Sequence, residues 1–189
     1  MGQKWPDCDS EIKQFVNHGI RVFKVVIQTK LDAVFSHGSL AMESFYSPKS
    51  DIDLLIMVGT HLSLNEKIQI HQRLVKLSRS RPITGFLELS VVLSNKANHP
   101  KHPIPYELHF GQGIPEMIQN GNFDYDDSNK NDPDLAAHFT VAKKRGVSLF
   151  GPTTEQMLGD VDWEDYLESV VGDLELISAD RYILNSPLY

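Results

Sequence analysis

The stretch that decides the fold spans residues 37–58 and reads HGSLAMESFYSPKSDIDLLIMV. It ends in an unbroken apolar run that directly follows the acidic pair Asp51 and Asp53. An apolar run of this length with a polar start predicts a buried strand over residues 51–58. Residues two apart on a strand point to the same face, so we expect the two carboxylates to lie side by side.

A third carboxylate, Glu88, lies within another predicted strand, from Phe86 to Leu93. Neighbouring carboxylates repel each other unless a cation lies between them, and oxygen-only ligands suit Mg²⁺ bound together with substrate phosphates. A charge within an apolar strand is costly unless it binds a metal or takes part in catalysis. An isolated Asp-x-Asp pair would more often flank a turn. The apolar strand, the third carboxylate and the preceding glycine–serine pair favour a metal site for phosphoryl or nucleotidyl transfer.

The glycine–serine pair, Gly38-Ser39, fits the same chemistry. Glycine lets the backbone approach a phosphate closely, and residues 40–45 are predicted to form the first turns of a short helix. Free N–H groups at the start of a helix, together with the Ser39 hydroxyl, bind phosphate oxygens well. The sequence therefore predicts a phosphate site beside a metal site.

Helices and strands alternate around this stretch up to about residue 112, and the remainder is mostly helical. Helices are predicted over residues 10–28, after the capping box Ser63–Glu66, from Asp132-Pro133 up to Gly146, and from Asp162 onward. Further strands are predicted over residues 32–36 and 106–110, and loops over residues 97–105 and 120–131. In the helix after the capping box we expect an inward face of Leu64, Ile68, Leu74 and Val75. This order predicts an α+β or α/β domain followed by a helical region.

Length and composition narrow the class of protein. The 189 residues are 41% apolar and 23% charged, which is typical of one folded domain, or of one domain with part of a second. No apolar run reaches the roughly 18 residues of a membrane span, and no apolar signal core follows the start, so we expect neither a span nor secretion. Cys8 is the single cysteine, which excludes an internal disulfide and a cysteine-based zinc site and fits the cytoplasm. The net charge of −7 argues against coating of nucleic acid and is compatible with a cationic substrate.

Four blocks of the sequence, taken together, resemble the aminoglycoside adenylyltransferases of streptomycin 3″ and spectinomycin 9 type, within the polymerase-β-like nucleotidyltransferase superfamily. The blocks are His37-Gly38-Ser39-Leu40-Ala41-Met42, Ser50-Asp51-Ile52-Asp53-Leu54-Leu55, Tyr106-Glu107-Leu108-His109-Phe110-Gly111, and Asp132-Pro133-Asp134-Leu135-Ala136 continuing to Gly151-Pro152. They occur in the family's order. The resemblance implies an α+β nucleotidyltransferase domain with a mixed sheet over residues 1–112, and the start of a helical, drug-binding domain over residues 113–189.

The resemblance also implies a reaction and the residues that carry it. AMP would pass from ATP to a hydroxyl of an aminoglycoside, with release of pyrophosphate, and so confer resistance. Asp51 and Asp53 would hold Mg²⁺, and Glu88 would act as the general base or share in metal binding. Three further residues would bind the nucleotide: Gly38, Ser39 and Ser50. The partners implied are ATP and the small-molecule drug, with no membrane and no nucleic acid.

The chain departs from the family pattern at three places. Glu43-Ser44 replaces a glycine that often follows the Ala-Met pair, and Gln112-Gly113 stands where many relatives have an acidic residue and a tryptophan. The family's helical domain also continues past this point, so we expect a truncated, incomplete second domain that ends on the mainly apolar residues 182–189. Two alternatives stay open. One is a nucleotidyltransferase for a protein or nucleic-acid acceptor, with a protein partner at that apolar end, and the other is an inactive relative that only binds nucleotide.

Two groups of basic residues have a structural and a functional interpretation. Lys143-Lys144-Arg145 ends a predicted helix, where cations are favourable, and the alternative role is contact with ATP phosphates. His99 and His102 are predicted to be solvated loop residues, and His109 to be structural.

Overall fold

The computed structural model describes residues 2–126 and 130–172, which are organised around one five-stranded sheet. The helices are α1 (Ser10–Val26), α2 (Gly38–Ala41), α3 (Leu64–Ser78), α4 (Ser94–Asn98), α5 (Ile114–Gln119), α6 (Leu135–Arg145) and α7 (Thr154–Met157). The strands are β1 (Leu31–Ser36), β2 (Ile52–Val58), β3 (Leu87–Leu93), β4 (Ile104–Pro105), β5 (Leu108–Phe110), β6 (Asn131–Asp132) and β7 (Val147–Phe150). Residues 163–172 are helical as well. No helix in these two ranges has the length and apolar character needed to cross a membrane.

The large sheet is mixed and has the strand order β5-β3-β2-β1-β7, while β4 pairs with β6 separately. β2 and β3 run parallel, with Asp53 opposite Glu88, and the other neighbours in the large sheet are antiparallel. A parallel pair requires a crossover, which α3 supplies between β2 and β3. The mixed sheet with its helices confirms the α+β fold class expected from the sequence.

Apolar side chains cover both faces of this sheet. On one face α1 and α3 contribute Phe23 and Leu74 to a core that includes Ile56 of β2. On the other face α6 packs Phe139 into a second core with Met57 of the same strand. Burial on both faces explains why β2 reads as a continuous apolar run rather than as an alternating pattern.

Helix α3 begins at the predicted capping box. The Ser63 hydroxyl accepts a hydrogen bond from the Glu66 N–H at 3.3 Å, and the Glu66 carboxylate accepts one from the Ser63 N–H at 2.7 Å. The Lys30 ammonium lies 2.7 Å from the same carboxylate. The prediction that Leu64 faces inward is wrong, since Leu64 lies in the first turn and is 53% exposed, and the apolar burial of the helix begins at Ile70.

Several elements differ in their bounds from the predicted ones. Helix α2 covers Gly38–Ala41 rather than residues 40–45, and α4 extends into the start of the predicted loop over residues 97–105. Helix α6 begins at Leu135 rather than at the predicted Pro133, with Asp134 as its N-cap, and ends at the predicted Gly146. The changes amount to two residues at the ends of α4 and α6 and up to four at the end of α2, because cap geometry rather than apolar spacing decides a helix boundary.

Strand β7 carries the sheet across the predicted domain boundary at residue 112. It pairs antiparallel with β1, and Phe35 lies opposite Ser148. The sequence shows only a short apolar run at this point, and four residues are too few to identify a strand by periodicity. The division into residues 1–112 and 113–189 stays a prediction.

The helix predicted from Asp162 is present from residue 163 to residue 172, the last described residue. It packs through Ser169, which is 1% exposed and whose hydroxyl accepts a hydrogen bond from the Ala137 N–H of α6 at 3.2 Å. Its apolar side chains Trp163, Leu167 and Val171 are 67%, 41% and 50% exposed. The predicted apolar end at residues 182–189, with its expected protein partner, lies outside the described residues.

Candidate functional site

The three carboxylates singled out by the sequence meet at the start of β2 and β3. Asp53 is the second residue of β2, Glu88 is the second residue of β3, and the parallel register places them opposite each other. Residues two apart share a face of a strand, so Glu88 lies on the same face as Val92, which packs toward α6. Asp51 lies just before β2, and one of its carboxylate oxygens accepts a hydrogen bond from the Phe86 N–H at 2.6 Å.

Burial and neighbouring negative charges raise the pKa values of Asp53 and Glu88. The pKa of Asp53 rises from 3.8 to about 7, first because the side chain is desolvated and then because Glu88 and Asp51 lie nearby. The pKa of Glu88 rises because of desolvation and the Asp51 charge, although a hydrogen bond from the Gln112 N–H partly offsets the rise. Carboxyl groups that lie close together are difficult to ionise, and a bound cation stabilises their charged form.

Gly38 lies directly against Asp53. Its backbone has a φ of +60°, and a Cβ atom at this position would overlap the Asp53 carboxylate. The preceding His37 N–H donates a hydrogen bond to the Asp53 carbonyl oxygen at 3.1 Å, which ties the turn to the start of β2. A glycine is therefore required here both by the backbone conformation and by the close approach.

The two serines predicted to bind nucleotide differ in their surroundings. The Ser39 hydroxyl oxygen is buried near the start of α2 and has no hydrogen-bond partner among the described residues. A buried polar atom of this kind is satisfied by a ligand or a water molecule. The Ser50 hydroxyl instead accepts a hydrogen bond from the Tyr46 N–H at 2.9 Å, and so stabilises the turn that leads to Asp51.

A cluster of histidines around the strand carboxylates was missed by the sequence analysis. His37, His109 and His138 line a cavity of about 20 Å³ together with Asp53 and Glu88. The rings of His37 and His138 lie 5.0 Å apart, and burial, followed by the neighbouring His138, lowers the pKa of His37 to about 3. His37 is therefore neutral near pH 7, and α6 reaches the carboxylate site through His138. In the sequence, the one indication of this cluster was the position of His37, which directly precedes Gly38.

The predictions for the remaining histidines have mixed outcomes. His99 is exposed, as predicted. The prediction that His102 is solvated is wrong, because its side chain is 9% exposed and its Nε2 lies 3.9 Å from the Glu168 carboxylate on the helix at 163–172. His109, predicted to be structural, has its Nδ1 3.1 Å from the Ser90 hydroxyl, so it has a structural contact as well as a place at the cavity.

Two departures from the family pattern can be located in the structure. Glu43 forms an exposed ion pair with Lys4 at 3.2 Å, so its charge is partly balanced on the surface. Gln112 uses its backbone N–H to bind the Glu88 carboxylate. Gly113 has a φ of +81°, and no atom lies within 4 Å of where its Cβ would be, so the position of the missing tryptophan is open space.

The carboxylates supply part of the ligand set that a metal ion requires. Among residues 2–126 and 130–172, no three His, Cys, Asp or Glu side chains form a complete metal-binding group. Magnesium, however, takes one or two protein carboxylates and obtains its other ligands from phosphates and water. Asp51 and Asp53 supply oxygen ligands of that kind, in a place where burial and then neighbouring negative charge raise the pKa of Asp53. The residues therefore meet the donor requirement for Mg²⁺ when a nucleotide supplies the remaining ligands.

The chain shares its fold with a solved structure. Over 86% of its length it matches the crystal structure of spectinomycin adenyltransferase AAD(9) from Enterococcus faecalis, solved with ATP and spectinomycin, with a TM-score of 0.75. The two chains are 20% identical, and the match covers 66% of the AAD(9) chain.

Curated relatives of similar sequence carry related names. An aminoglycoside (3″)(9) adenylyltransferase from Shigella flexneri is 28% identical over 170 residues, which are 88% of this chain and 63% of that relative. A spectinomycin 9-adenylyltransferase from Campylobacter jejuni is 22% identical over 163 residues, or 85% of this chain and 62% of that relative. No protein-family model matches the chain. The predicted resemblance to these adenylyltransferases is confirmed, and the chain spans about 63% of the length of the curated relatives it matches.

Proposed function

We propose that this protein transfers AMP from ATP to a hydroxyl of an aminoglycoside antibiotic of the streptomycin or spectinomycin class, and so confers resistance. The observation that carries the proposal is the register of β2 and β3, which places Asp53 opposite Glu88 with Asp51 and Gly38 beside them. The names of the similar proteins, (3″)(9) and spectinomycin 9-adenylyltransferases, support this choice of acceptor.

Asp51 and Asp53 are the residues that would hold Mg²⁺. The ion, when bound with ATP, neutralises charge that develops on the reacting phosphates. Asp53 acts as a ligand in its ionised form, which a neighbouring cation favours over the protonated form that dominates below its pKa of about 7. Asp51 gives one oxygen to the Phe86 N–H, which fixes the direction of the carboxylate and leaves its second oxygen for a ligand.

Glu88 is proposed as the general base. It accepts the proton of the acceptor hydroxyl while the hydroxyl oxygen attacks the α-phosphorus of ATP. The bond from that phosphorus to the bridging oxygen breaks, and pyrophosphate leaves with the electron pair. Burial and the Asp51 charge raise the pKa of Glu88, which makes its carboxylate a stronger base, and the Gln112 N–H orients it.

Gly38, Ser39 and Ser50 are proposed to support the nucleotide phosphates. The unpartnered Ser39 hydroxyl can donate a hydrogen bond to a phosphate oxygen. The missing side chain at Gly38 keeps the space beside the Asp53 carboxylate open. Ser50 contributes through the turn that it stabilises before Asp51.

The drug is proposed to bind between residues 1–112 and the helical segment that follows. Helix α6 already reaches the carboxylates, since His138 lines their cavity. The net charge of −7 suits a cationic acceptor. Since the chain spans about 63% of the length of its relatives, the drug site is the part of the proposal that needs the most direct test.

Pyrophosphate release provides that test. The protein is incubated with ATP and Mg²⁺ and with streptomycin, spectinomycin or kanamycin in turn, and Asp53→Asn serves as the matched inactive variant. Release that depends on one drug and is absent from Asp53→Asn is the expected result. Release that is independent of every drug, or absent with all of them while ATP still binds, would show that an aminoglycoside is not the acceptor.

A further inference from the structure

His71 of α3 is a fully buried histidine that the steps described above do not use. Its Nδ1 lies 2.9 Å from the Lys67 carbonyl oxygen, and its Nε2 lies 3.1 Å from the His109 carbonyl oxygen. A carbonyl oxygen only accepts hydrogen bonds, whereas a neutral imidazole carries a proton on one of its two nitrogens. Both contacts are therefore hydrogen bonds only when both ring nitrogens are protonated, so that His71 is an imidazolium cation.

The surroundings of the ring favour this positive charge. Hydrogen bonds from a charged donor are stronger than those from a neutral one, and two carbonyl oxygens accept them here. The ring centroids of Phe123 and Tyr125 lie 4.7 Å and 5.5 Å from that of His71, and aromatic rings attract a cation through their quadrupole. Of the titratable residues beside the ring, Tyr125 contacts it with its own ring, whereas Lys67 and His109 contact it through their backbones.

One of the two hydrogen bonds joins α3 to β5. This strand has three residues, Leu108–Phe110, and lies at the edge of the large sheet next to β3. A short edge strand is held by few hydrogen bonds to its neighbour, so a further bond contributes strongly to its position. The His71 Nε2–H supplies such a bond to His109, the middle residue of the strand.

The backbone that follows β5 orients the proposed general base. The Gln112 N–H donates a hydrogen bond to the Glu88 carboxylate. A Cβ atom at Gly111 would lie 3.2 Å from His109 Nε2 and 3.6 Å from Glu88 Oε1, so this backbone passes directly beside both side chains. His71 holds residue 109, which is three positions before Gln112, and a shift of β5 would therefore move the N–H that binds Glu88.

We propose that His71, as an imidazolium, is a positioning residue for AMP transfer. It fixes β5 against α3, and so holds the Gln112 N–H in place against the Glu88 carboxylate. The inference rests on the proposed function, because it concerns the base of that reaction. It adds a residue that lies outside the cavity around the carboxylates and acts on Glu88 through the backbone.

Two measurements by NMR test the inference without turnover. In protein labelled with ¹⁵N-histidine at pH 7, both ring nitrogens of His71 are expected to carry a proton, with the signals assigned by their loss in His71→Phe. Hydrogen exchange at the Gln112 N–H should be about tenfold faster in His71→Phe, and exchange at Ile56 in the central strand β2 should be unchanged. His18→Phe, which replaces an exposed histidine of α1, is the matched control and should change neither signal. A His71 ring with one N–H, or equal Gln112 exchange in parent and His71→Phe, would overturn the inference.

Steady-state kinetics test the effect on the reaction. His71→Phe keeps a ring and loses both donors, so we expect kcat to fall about tenfold while KM for ATP changes less than about twofold. His71→Gln can still donate one hydrogen bond and should lose less rate. In Glu88→Gln the base is already absent, so adding His71→Phe should cost no further rate. An unchanged kcat in His71→Phe, or a further tenfold loss in the Glu88→Gln background, would contradict positioning through Glu88.

The two sets of results separate this inference from the proposed function. AMP transfer by a parent protein whose His71 carries one ring proton removes only the role of His71. A doubly protonated His71 whose loss speeds exchange at Gln112, in a protein without AMP transfer, removes the proposed reaction and leaves the link between these two residues in place.

Discussion

Asp53 is the residue on which most interactions of the candidate site converge. Its carbonyl oxygen accepts a hydrogen bond from the His37 N–H, and its carboxylate occupies the space that a side chain at position 38 would need. The register of β2 and β3 places it opposite Glu88. Substitutions at or beside this residue are therefore expected to affect the chemistry before they affect the fold.

Gly38→Ala is expected to abolish AMP transfer. The new methyl group would overlap the Asp53 carboxylate, and a φ of +60° costs an alanine about 1–2 kcal/mol. Gly121→Ala is the matched control, because Gly121 has a φ of +71° and no atom lies within 4 Å of its Cβ position. Activity and urea unfolding are compared for the two variants. Equal activity in both would show that the contact between Gly38 and Asp53 is unimportant for the reaction.

Glu88→Gln is expected to reduce the rate of AMP transfer by a factor of about 10² to 10⁴ and to leave ATP affinity nearly unchanged. The amide keeps the shape of the side chain and its contact with the Gln112 N–H, but it cannot accept the proton of the acceptor. Steady-state kinetics and calorimetric ATP titration measure the two effects separately. If the rate and the ATP affinity fell by the same factor, Glu88 would be a nucleotide-binding residue rather than the base.

The pH dependence of stability is expected to report the raised pKa of Asp53. Between its ordinary value of 3.8 and its folded value of about 7, the folded chain holds a proton that the unfolded chain has released. The stabilisation that this proton provides is fully present below pH 3.8, and it is lost as the pH rises through about 7. In metal-free buffer, the unfolding free energy of the parent relative to Asp53→Asn should fall by up to about 1.4 kcal/mol per pH unit across this window.

Urea unfolding in the presence of a chelator, at pH values from 5 to 8, measures this difference for the two proteins in parallel. A difference that does not change with pH would mean that Asp53 is ionised in the folded protein throughout, and that the crowding of carboxylates is relieved in some other way.

The three carboxylates could be predicted because each depends on a local pattern. The two-residue period identifies the shared face of Asp51 and Asp53, and a lone charge in an apolar strand identifies Glu88. The approach of His138 could not be predicted in this way. It depends on how α6 packs against the sheet, and no local pattern contains that information.

Helix α3 has a clearly defined start. It supplies the crossover that makes β2 and β3 parallel, and so indirectly sets the register of Asp53 and Glu88. Its first turn is stabilised by the reciprocal hydrogen bonds of Ser63 and Glu66 and by the Lys30 ion pair. Stability of this helix can therefore be altered at a point distant from the catalytic groups.

Ser63→Ala is expected to lower the free energy of unfolding by about 1 kcal/mol, because the Glu66 N–H loses its partner at the helix start. Asn65→Ala, an exposed substitution in the same turn, should have little effect. Urea unfolding measures both, and AMP transfer should be unchanged in both at low temperature. A loss in Asn65→Ala as large as that in Ser63→Ala would mean that helix propensity, rather than the cap, explains the effect.

The elements that the sequence predicted well are the long ones with clear periodicity or clear caps, such as α1, α3 and β2. The short ones were missed or misplaced. β7 has only four residues, and its place in the sheet comes from pairing with β1 rather than from its own pattern. In the first turn of α3 the apolar spacing predicted too much burial, because Leu64 fits the spacing and is nevertheless exposed.

For the molecule as a whole, the candidate site lies where two parts of the chain meet. The strands β2 and β3 supply the carboxylates, and α6, which follows residue 112, closes over them through His138. β7 joins the same later segment to the sheet.

Identification of the product tests directly whether this protein transfers AMP to an aminoglycoside. The protein is incubated with Mg²⁺, ATP labelled at the α-phosphate, and spectinomycin or streptomycin, and the drug is then recovered and examined by mass spectrometry. We expect an AMP–drug adduct that carries the label, formed by the parent chain and absent from Asp53→Asn. Unmodified drug, recovered from protein that binds ATP, would contradict the assignment of this site to AMP transfer onto an aminoglycoside.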